Sequence, residues 1–302
     1  MVSQTPAHHL ENFLALLAHQ PGVLVQVDGA QGSVPREACA WMAVFADALV
    51  GTVGGGHLEH DAIATAHELL KSGPGMPKTQ RFALGPALGQ CCGGVVQLRF
   101  ELVSQQDLTR LAQRLKPLLS PVALFGGGHV GHALVRVLSS LPFALTWVDS
   151  REGVFPDEFT GFSAGPSEEK MCPSGRQGAT QIERVWGPYV SCEHSEPVEG
   201  AVRTLTPQSA VLIMSFSHAE DLEVLAACLK RQRQQADLPY IGLIGSQTKW
   251  ATFRNRLQAR GFTPDELAHV TSPIGVPGIH GKQPEVIAVA VAAQILQIVA
   301  SQ

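Results

Sequence analysis

Apolar and polar residues follow different patterns in the two halves of the chain. In the second half, short apolar runs alternate with segments whose apolar residues recur every three or four positions. This alternation predicts parallel strands joined by helices, as in an α/β protein with a Rossmann-like, doubly wound sheet. The predicted strands and helices, in chain order, are 122–125, 130–138, 143–148, 211–214, 218–231, 240–244, 248–260 and 284–300.

The first half predicts a smaller α+β domain. Helices are expected at 10–17, 57–70 and 107–119, and strands at 23–27, 41–45, 49–53 and 95–103. Pro121 would end the third helix, so we divide the chain into an N-terminal accessory domain, 1–118, and a Rossmann-like domain, 119–302. Residues 156–180 are rich in Gly, Pro, Ser and Glu without apolar periodicity, which predicts a mobile loop.

Composition and charge narrow the classes of partner. The 302 residues are 45% hydrophobic and 16% charged, which excludes a disordered chain. The formal charge of −4 offers no basic surface for a phosphate backbone, so we expect no nucleic-acid partner. We find no signal peptide and no apolar segment of the roughly 20 residues that span a bilayer, and therefore expect a cytoplasmic protein without a membrane partner.

A glycine-rich turn follows the strand at 122–125. Gly126, Gly128 and Gly131 match the G-x-G-x-x-G fingerprint, and Asp149 ends the next strand as the acidic residue of that motif. In the fingerprint, the second glycine lets a pyrophosphate approach the helix N-terminus. The same glycines also form turns that bind other phosphates or no ligand, so a phosphate-bearing ligand, a nucleotide included, and a purely structural turn both stay open.

A second glycine run, Gly54-Gly55-Gly56, precedes the helix at 57–70. Free amide groups at a helix N-terminus would make it another candidate anion site. His57, His60 and Asp61 share one helical face, and Glu59 lies on a neighbouring one. These side chains could hold a metal or form a solvated polar face, and the pattern favours the polar face.

The adjacent cysteines Cys91 and Cys92 lie between glycines. Thiolates are soft ligands suited to molybdenum, copper or sulfur transfer. Alternatively, both residues are small side chains buried in a tight turn. We favour a functional pair, because packing alone would not require so much backbone freedom beside two thiols.

Three further polar side chains lie at turns. Arg36 could bind a phosphate or carboxylate, or form a surface salt bridge. Lys249 lies in the first turn of the helix after strand 240–244, and His218 follows strand 211–214. Both come after strand ends, the edge at which α/β sheets bind ligands.

Taken together, these motifs resemble the xanthine dehydrogenase accessory protein family of molybdenum-cofactor chaperones. The resemblance covers nearly the whole chain, and several motifs in the same order are more specific than the glycine fingerprint alone. The matching segments are Gly32–Glu37, Gly51–Glu59, Gly85–Gly94, Leu124–Gly131, Trp147–Arg151, Ser217-His218, Gly242–Lys249 and Pro273–Ala288.

The resemblance implies a chaperone with no catalytic residues of its own. Its cargo would be molybdopterin-bound molybdenum, which it protects, helps to sulfurate with a cysteine desulfurase, and inserts into the molybdenum subunit of apo xanthine dehydrogenase. We expect Cys91 and Cys92 near the molybdenum. The two glycine turns, with Arg36 or Lys249, would hold the pterin and phosphate. A homodimer is expected from the frequency of twofold oligomers.

Two other function classes stay open. An NAD(P)-dependent oxidoreductase would use the turn Gly126–Gly131, with Asp149 on a ribose hydroxyl and His218 as acid or base. A non-catalytic binding module would leave the Rossmann-like turn empty and only dock the dehydrogenase.

Overall fold

The structure is a computed structural model that describes residues 6–32, 40–73, 75–84, 94–160 and 189–300. The chain divides into two compact units, Met1–Pro117 and Leu118–Gln302. Three predicted site residues, Arg36, Cys91 and Cys92, lie outside the described residues, as does most of the predicted loop at 156–180.

The first unit contains a five-stranded antiparallel sheet covered by helices on both faces. Its strands are β1 (Gly22–Gln31), β2 (Trp41–Val44), β3 (Leu49–Gly51), β4 (Lys78–Ala83) and β5 (Val95–Val103), paired in the order β3-β2-β1-β5-β4. Its helices are α1 (Pro6–Leu17), α2 (Gly56–Ser72) and α3 (Leu108–Arg114), the last preceded by a 3-10 turn at Gln105–Asp107.

Alternate residues of the central strands pack into two cores. Val23 and Val25 of β1 pack with α2, whereas Leu24 between them packs with α1 and α3. The prediction of a helix at 107–119 is wrong at its C-terminal end, because α3 stops at Arg114. Pro117 explains the early end, since the residue before a proline is disfavoured in helical conformation.

The second unit contains a six-stranded parallel sheet. Its strands are β6 (Ser120–Phe125), β7 (Phe143–Asp149), β8 (Val190–His194), β9 (Ala210–Ile213), β10 (Tyr240–Leu243) and β11 (Val270–Thr271), paired in the order β11-β10-β9-β6-β7-β8. Its helices are α4 (His129–Leu138), α5 (Asp157–Thr160), α6 (His218–Gln235), α7 (Gln247–Ala259), α8 (Pro264–Leu267) and α9 (Pro284–Ala300), with a 3-10 helix at Val198–Arg203.

Helices cover both faces of this sheet, which confirms the predicted doubly wound, Rossmann-like architecture. Val122 and Leu124 of β6 pack with α4 and α9, whereas Ala123 and Phe125 pack with α6 and α7. Burial on both faces explains why β6 is a continuous apolar run. The chain builds outward from β6 to β8 on one side and from β9 to β11 on the other, so the switch point lies between β6 and β9.

The helices of the described ranges are all too short or too polar to cross a lipid bilayer. The most apolar of them, α9, has 17 residues and contains Gln294 and Gln297.

Candidate functional site

The turn between β6 and α4 lies at the switch point of the parallel sheet. Gly126 has φ +124, and a Cβ there would lie 2.1 Å from the carbonyl oxygen of Met214, in the chain that leaves β9. At Gly131, a Cβ would lie 2.2 Å from the carbonyl oxygen of Gly126. Trp147 Nε1 donates a hydrogen bond to that same oxygen at 3.0 Å. Packing within the chain therefore accounts for these two glycines.

Gly128 differs from its neighbours because it faces open space. It is the N-cap of α4, with φ −82 and ψ −177, and a Cβ there would have no heavy atom within 4 Å. The first amide groups of a helix have no partner within the helix and carry the positive end of its dipole. The open start of α4 is thus suited to an anion such as a phosphate.

Asp149, at the end of β7, is buried and accepts four hydrogen bonds from the chain. Its Oδ2 accepts from the Gly127 amide at 2.5 Å and from an Arg151 guanidinium nitrogen at 2.9 Å. Its Oδ1 accepts from the amide and Nε of Arg151, both at 2.9 Å. Burial alone would raise the pKa of Asp149, but the bonds from Arg151 and Gly127 lower it overall. Asp149 is therefore a fixed carboxylate.

Residues 150–155, which we call the strap, follow Asp149 and pack onto the glycine turn. A Cβ on Gly127 would lie 1.9 Å from Cγ1 of Val154, so the strap fills the space above this glycine. The middle glycine of the run is therefore required by the chain itself. Of the three consecutive glycines, only Gly128 leaves room for a ligand.

The strap also contacts the loop that follows β9 and the first turn of α6. Ser150 Oγ donates a hydrogen bond to Glu220 Oε1 at 2.6 Å. The guanidinium carbon of Arg151 lies 4.8 Å from the centre of the Phe216 ring, which is cation–π distance. Because β6 lies between β7 and β9 in the sheet, these two contacts carry the strap across the end of β6.

Lys249, a predicted phosphate ligand, lies at this edge but is bound to the chain. Its Nζ donates to Asp221 Oδ2 at 2.5 Å and to the Ile244 carbonyl at 2.9 Å. Asp221 is 1% exposed and also accepts from the Ser215 amide at 2.8 Å. An ammonium group has three protons. Two of these protons are donated to Asp221 and Ile244. Lys249 therefore connects α7 to α6 and to the residue that follows β10.

His218 is the first residue of α6 and is exposed at the same edge of the sheet. Its ring meets Phe253 edge to face, with 6.1 Å between ring centres. Ser217 caps the helix by accepting a hydrogen bond from the Glu220 amide at 3.1 Å. Thus His218 is placed at a helix N-terminus beside the switch point, as its position after β9 predicted.

In the first unit, Glu59 organises the Gly54-Gly55-Gly56 turn. Its Oε2 accepts from the amides of Val53 at 3.2 Å and Gly55 at 3.1 Å, and from the hydroxyl of Thr52. Glu59 therefore brings a negative charge of the chain to the N-terminus of α2, where an external anion had been considered. The other predicted member of this group, His57, is exposed.

Metal binding by the polar face of α2 gains no support. His60 Nδ1 lies 3.6 Å from Asp61 Oδ1, and the His60 side chain is 83% exposed. Within the part of the chain that the structure describes, no three His, Cys, Asp or Glu side chains are grouped to hold a metal ion.

Two of the six cysteines lie in the described residues, and both are poor thiolate ligands. Burial raises the pKa of Cys192 to about 11. Burial also raises the pKa of Cys228 to about 12, against a small opposing effect of Arg231. These thiols stay protonated near neutral pH.

The sequence interpretation missed Arg151 and Phe216 as site residues. Arg151 comes two residues after the acidic end of β7, a spacing that lets a side chain turn back onto that carboxylate. Phe216 is an aromatic residue between Ser215 and Ser217, just past a buried strand. The sequence did contain a signal for Phe216, namely an apolar ring in a polar loop at the end of a strand.

These features define the class of protein: a Rossmann-type domain, with its glycine turn and acidic strand end, preceded by an α+β domain. Two family models match the chain, the XdhC Rossmann domain over residues 122–295 and the XdhC and CoxI family over residues 15–83. The chain belongs to the XdhC family, which confirms the resemblance inferred from its motifs.

Two individual proteins are similar to most of this chain. The uncharacterized protein YqeB of Escherichia coli (strain K12) is 25% identical over 282 residues, which are 92% of this chain but 43% of YqeB. The chain thus spans less than half of that relative. A Bacillus halodurans protein, whose crystal structure is described as that of a xanthine dehydrogenase, matches with a TM-score of 0.72 and 21% identity, over 99% of this chain and 97% of its own. This second likeness supports the fold alone.

Proposed function

We propose that this chain is an accessory factor of xanthine dehydrogenase maturation that carries the molybdenum cofactor. It binds the cofactor, supports its sulfuration by a cysteine desulfurase, and inserts it into the molybdenum subunit of apo xanthine dehydrogenase. It acts as a carrier and not as an enzyme. Membership of the XdhC family supports the association with xanthine dehydrogenase. A homodimer and a cytoplasmic location stay predictions.

The observation that carries this proposal is the contrast between Gly128 and Asp149. Gly128 leaves the start of α4 open, where one phosphate fits. A carboxylate has about four lone-pair positions, and four donors of the chain already engage Asp149. It therefore offers no ready acceptor to a ribose hydroxyl, as an NAD(P)-dependent oxidoreductase would need. Molybdopterin has a phosphate and requires no ribose contact.

Substitution of Gly128 tests the phosphate position. Gly128→Asp places a negative charge there, and aspartate is also a favourable N-cap, so the variant should fold at least as stably as the wild type. We expect the molybdenum and pterin content of the protein, purified from a cofactor-producing host, to fall about 10-fold, which corresponds to about 1.4 kcal/mol. Gly128→Asn has the same shape without the charge and should retain more cofactor.

Equal cofactor content in the Asp and Asn variants would contradict a phosphate at this position. Calorimetry with NAD and NADP on the wild-type protein provides the test against the oxidoreductase alternative. Tight nicotinamide binding, together with turnover that needs no partner protein, would replace the carrier proposal.

The cysteine pair is tested separately. We expect replacement of both Cys91 and Cys92 by alanine to reduce the molybdenum retained per protein and its transfer to apo xanthine dehydrogenase. Cys192→Ala is the matched control, because its thiol has a raised pKa and should not act as a ligand. Unchanged retention and transfer in the double variant would refute a role near the metal.

A further inference from the structure

Phe216 is unusually exposed for an aromatic side chain in the loop that leaves a buried strand. It is 60% exposed and lies two residues before α6 at the switch point. Arg151 covers one face of its ring at 4.8 Å. One face of the ring is covered, yet more than half of the residue is exposed. The exposed surface must therefore be the opposite face and the edges of the ring.

Arg151 contacts the ring, and further hydrogen bonds fix Arg151 and the loop on either side of Phe216. The Arg151 side chain is fixed by two hydrogen bonds to buried Asp149, at 2.9 Å each. The Ser150 to Glu220 bond joins the strap to the first turn of α6. On the other side of Phe216, the Ser215 amide is bonded to Asp221 at 2.8 Å. A flat apolar surface fixed in this way loses little conformational entropy when a ligand stacks on it.

The surroundings favour a small planar ligand over a protein partner. Docking surfaces for proteins are contiguous apolar patches of several hundred Å². Phe216 is instead flanked by Ser215 and Ser217 and followed by the exposed His218. A single ring among polar groups suits a heteroaromatic ligand, whose face stacks while its edges form hydrogen bonds.

We propose that the free face of Phe216 stacks on the pterin ring of the cargo, while the phosphate of the same molecule lies at the start of α4. This inference rests on the proposed function. The start of α4 follows β6 and Phe216 follows β9, and these two strands are neighbours in the sheet, about 4.8 Å apart, so one extended small molecule could reach both positions. Phe216 is thus the residue that recognises the planar ring, separately from the phosphate position at Gly128.

The test uses the full chain with Phe216→Ala, Phe216→Leu and Phe216→Tyr. The probe is molybdenum cofactor released anaerobically from purified xanthine dehydrogenase, and its dissociation constant is measured by equilibrium dialysis. Loss of a stacked aromatic weakens binding of a base-like ring by about 5-fold to 100-fold, so we expect at least 5-fold for Ala and Leu and near wild-type affinity for Tyr. Val289→Ala removes another exposed apolar side chain, on α9, and should change nothing.

The other outcomes overturn the inference in distinguishable ways. If Phe216→Ala binds the cofactor like wild type while Gly128→Asp does not, the stacking role is wrong and the carrier function stands. If Leu equals Tyr, the contact is apolar and not stacking. If Phe216→Ala retains cofactor but fails to transfer it, Phe216 docks the dehydrogenase. Equal binding of adenosine monophosphate would overturn the assignment to pterin, and no cofactor binding by the wild type would refute the proposed function itself.

Discussion

The two glycine-rich turns, Gly54–Gly56 and Gly126–Gly128, are stabilised in the same way but differ in the room that they leave for a ligand. In both, a carboxylate of the chain accepts hydrogen bonds from amides of a turn that leads into a helix. Glu59 comes from α2 itself, four residues after Gly55. Asp149 comes from the neighbouring strand, 22 residues after Gly127, and its charge is balanced by Arg151.

The origin of the carboxylate decides what remains for a ligand. A carboxylate from the same helix brings a negative charge to the helix N-terminus, which discourages a second anion there. A carboxylate from the next strand ties the turn to the sheet, and its arginine cancels the charge. The start of α4 at Gly128 is left open. This difference favours the second unit for the phosphate site that we propose.

The largest effect is expected from Asp149→Ala. Removal of a buried carboxylate that serves four donors should lower the free energy of unfolding by about 2–4 kcal/mol, the lower part of the range reflecting the partial exposure of Arg151. Urea unfolding measures the change. Asp149→Asn, which keeps the shape, should cost less. Equal destabilisation by Glu59→Ala and Asp149→Ala would contradict the difference that we infer between the two turns.

Paired alanine substitutions test how tightly each turn is packed. Gly131→Ala should cost about 3 kcal/mol, because its Cβ would meet a backbone oxygen that cannot yield. Gly55→Ala has free space around the Cβ but a φ of +75, so it should cost about 1 kcal/mol of backbone strain. Denaturant unfolding of both variants provides the measurement, and a reversed order would contradict the packing argument.

A smaller effect is expected for Glu59→Gln. The amide keeps one acceptor oxygen, and water can reach this partly buried turn, so the loss should be about 1 kcal/mol. Hydrogen exchange should show faster exchange at the amides of Val53 and Gly55, with little change in the second unit. Glu68→Gln, an exposed position on the same helix, is the control. Unchanged protection of both amides would show that Glu59 does not organise the turn.

The smallest effect is the pH dependence of the Asp149 contribution. The pKa of Asp149 is lowered from its ordinary value of 3.8, so the stabilisation is present above that value and is lost as the pH falls through the lower folded-state pKa. The stability difference between wild type and Asp149→Asn should be constant from pH 7 to 5 and shrink only below pH 3.8.

This measurement must be taken as a difference between the two proteins. In the first unit the pKa of Glu101 is also lowered, since bonds from Arg114 and Arg110 outweigh the effect of burial. Both units therefore lose stability in acid. A difference that already shrinks between pH 7 and 5 would contradict the lowered pKa of Asp149.

The sequence predicted those parts of the fold that are buried on both faces. The apolar run Val122–Phe125 and the glycines after it are sufficient to place β6, its turn and α4. The strands that escaped prediction, β4, β8 and β11, lie at sheet edges or are short. Four of the six residues in β4 are exposed, so it lacks the apolar alternation that identifies a half-buried strand.

The sequence predicted where the candidate residues lie in the fold, but not which groups they contact. Gly126 and Asp149 lie at the ends of β6 and β7, Gly131 lies in α4, and His218 and Lys249 lie in the first turns of α6 and α7, as their spacing predicted. What the spacing could not show is which donors a carboxylate finds. That Lys249 is satisfied by Asp221 depends on packing between residues 28 positions apart. That Arg151 satisfies Asp149 depends on the strap folding back, which the two-residue spacing allows but does not require. Glu59 and Lys249 were therefore considered as ligands although they are used inside the chain.

Arg151 has a double task, as the partner of Asp149 and as the cation beneath Phe216. In evolutionary terms, this links two properties that selection could otherwise change separately. Drift at position 151 would be opposed by the need to fold. If Phe216 stacks on the cargo as we propose, a lineage that acquired a different cargo would be expected to change the ring first and keep the arginine.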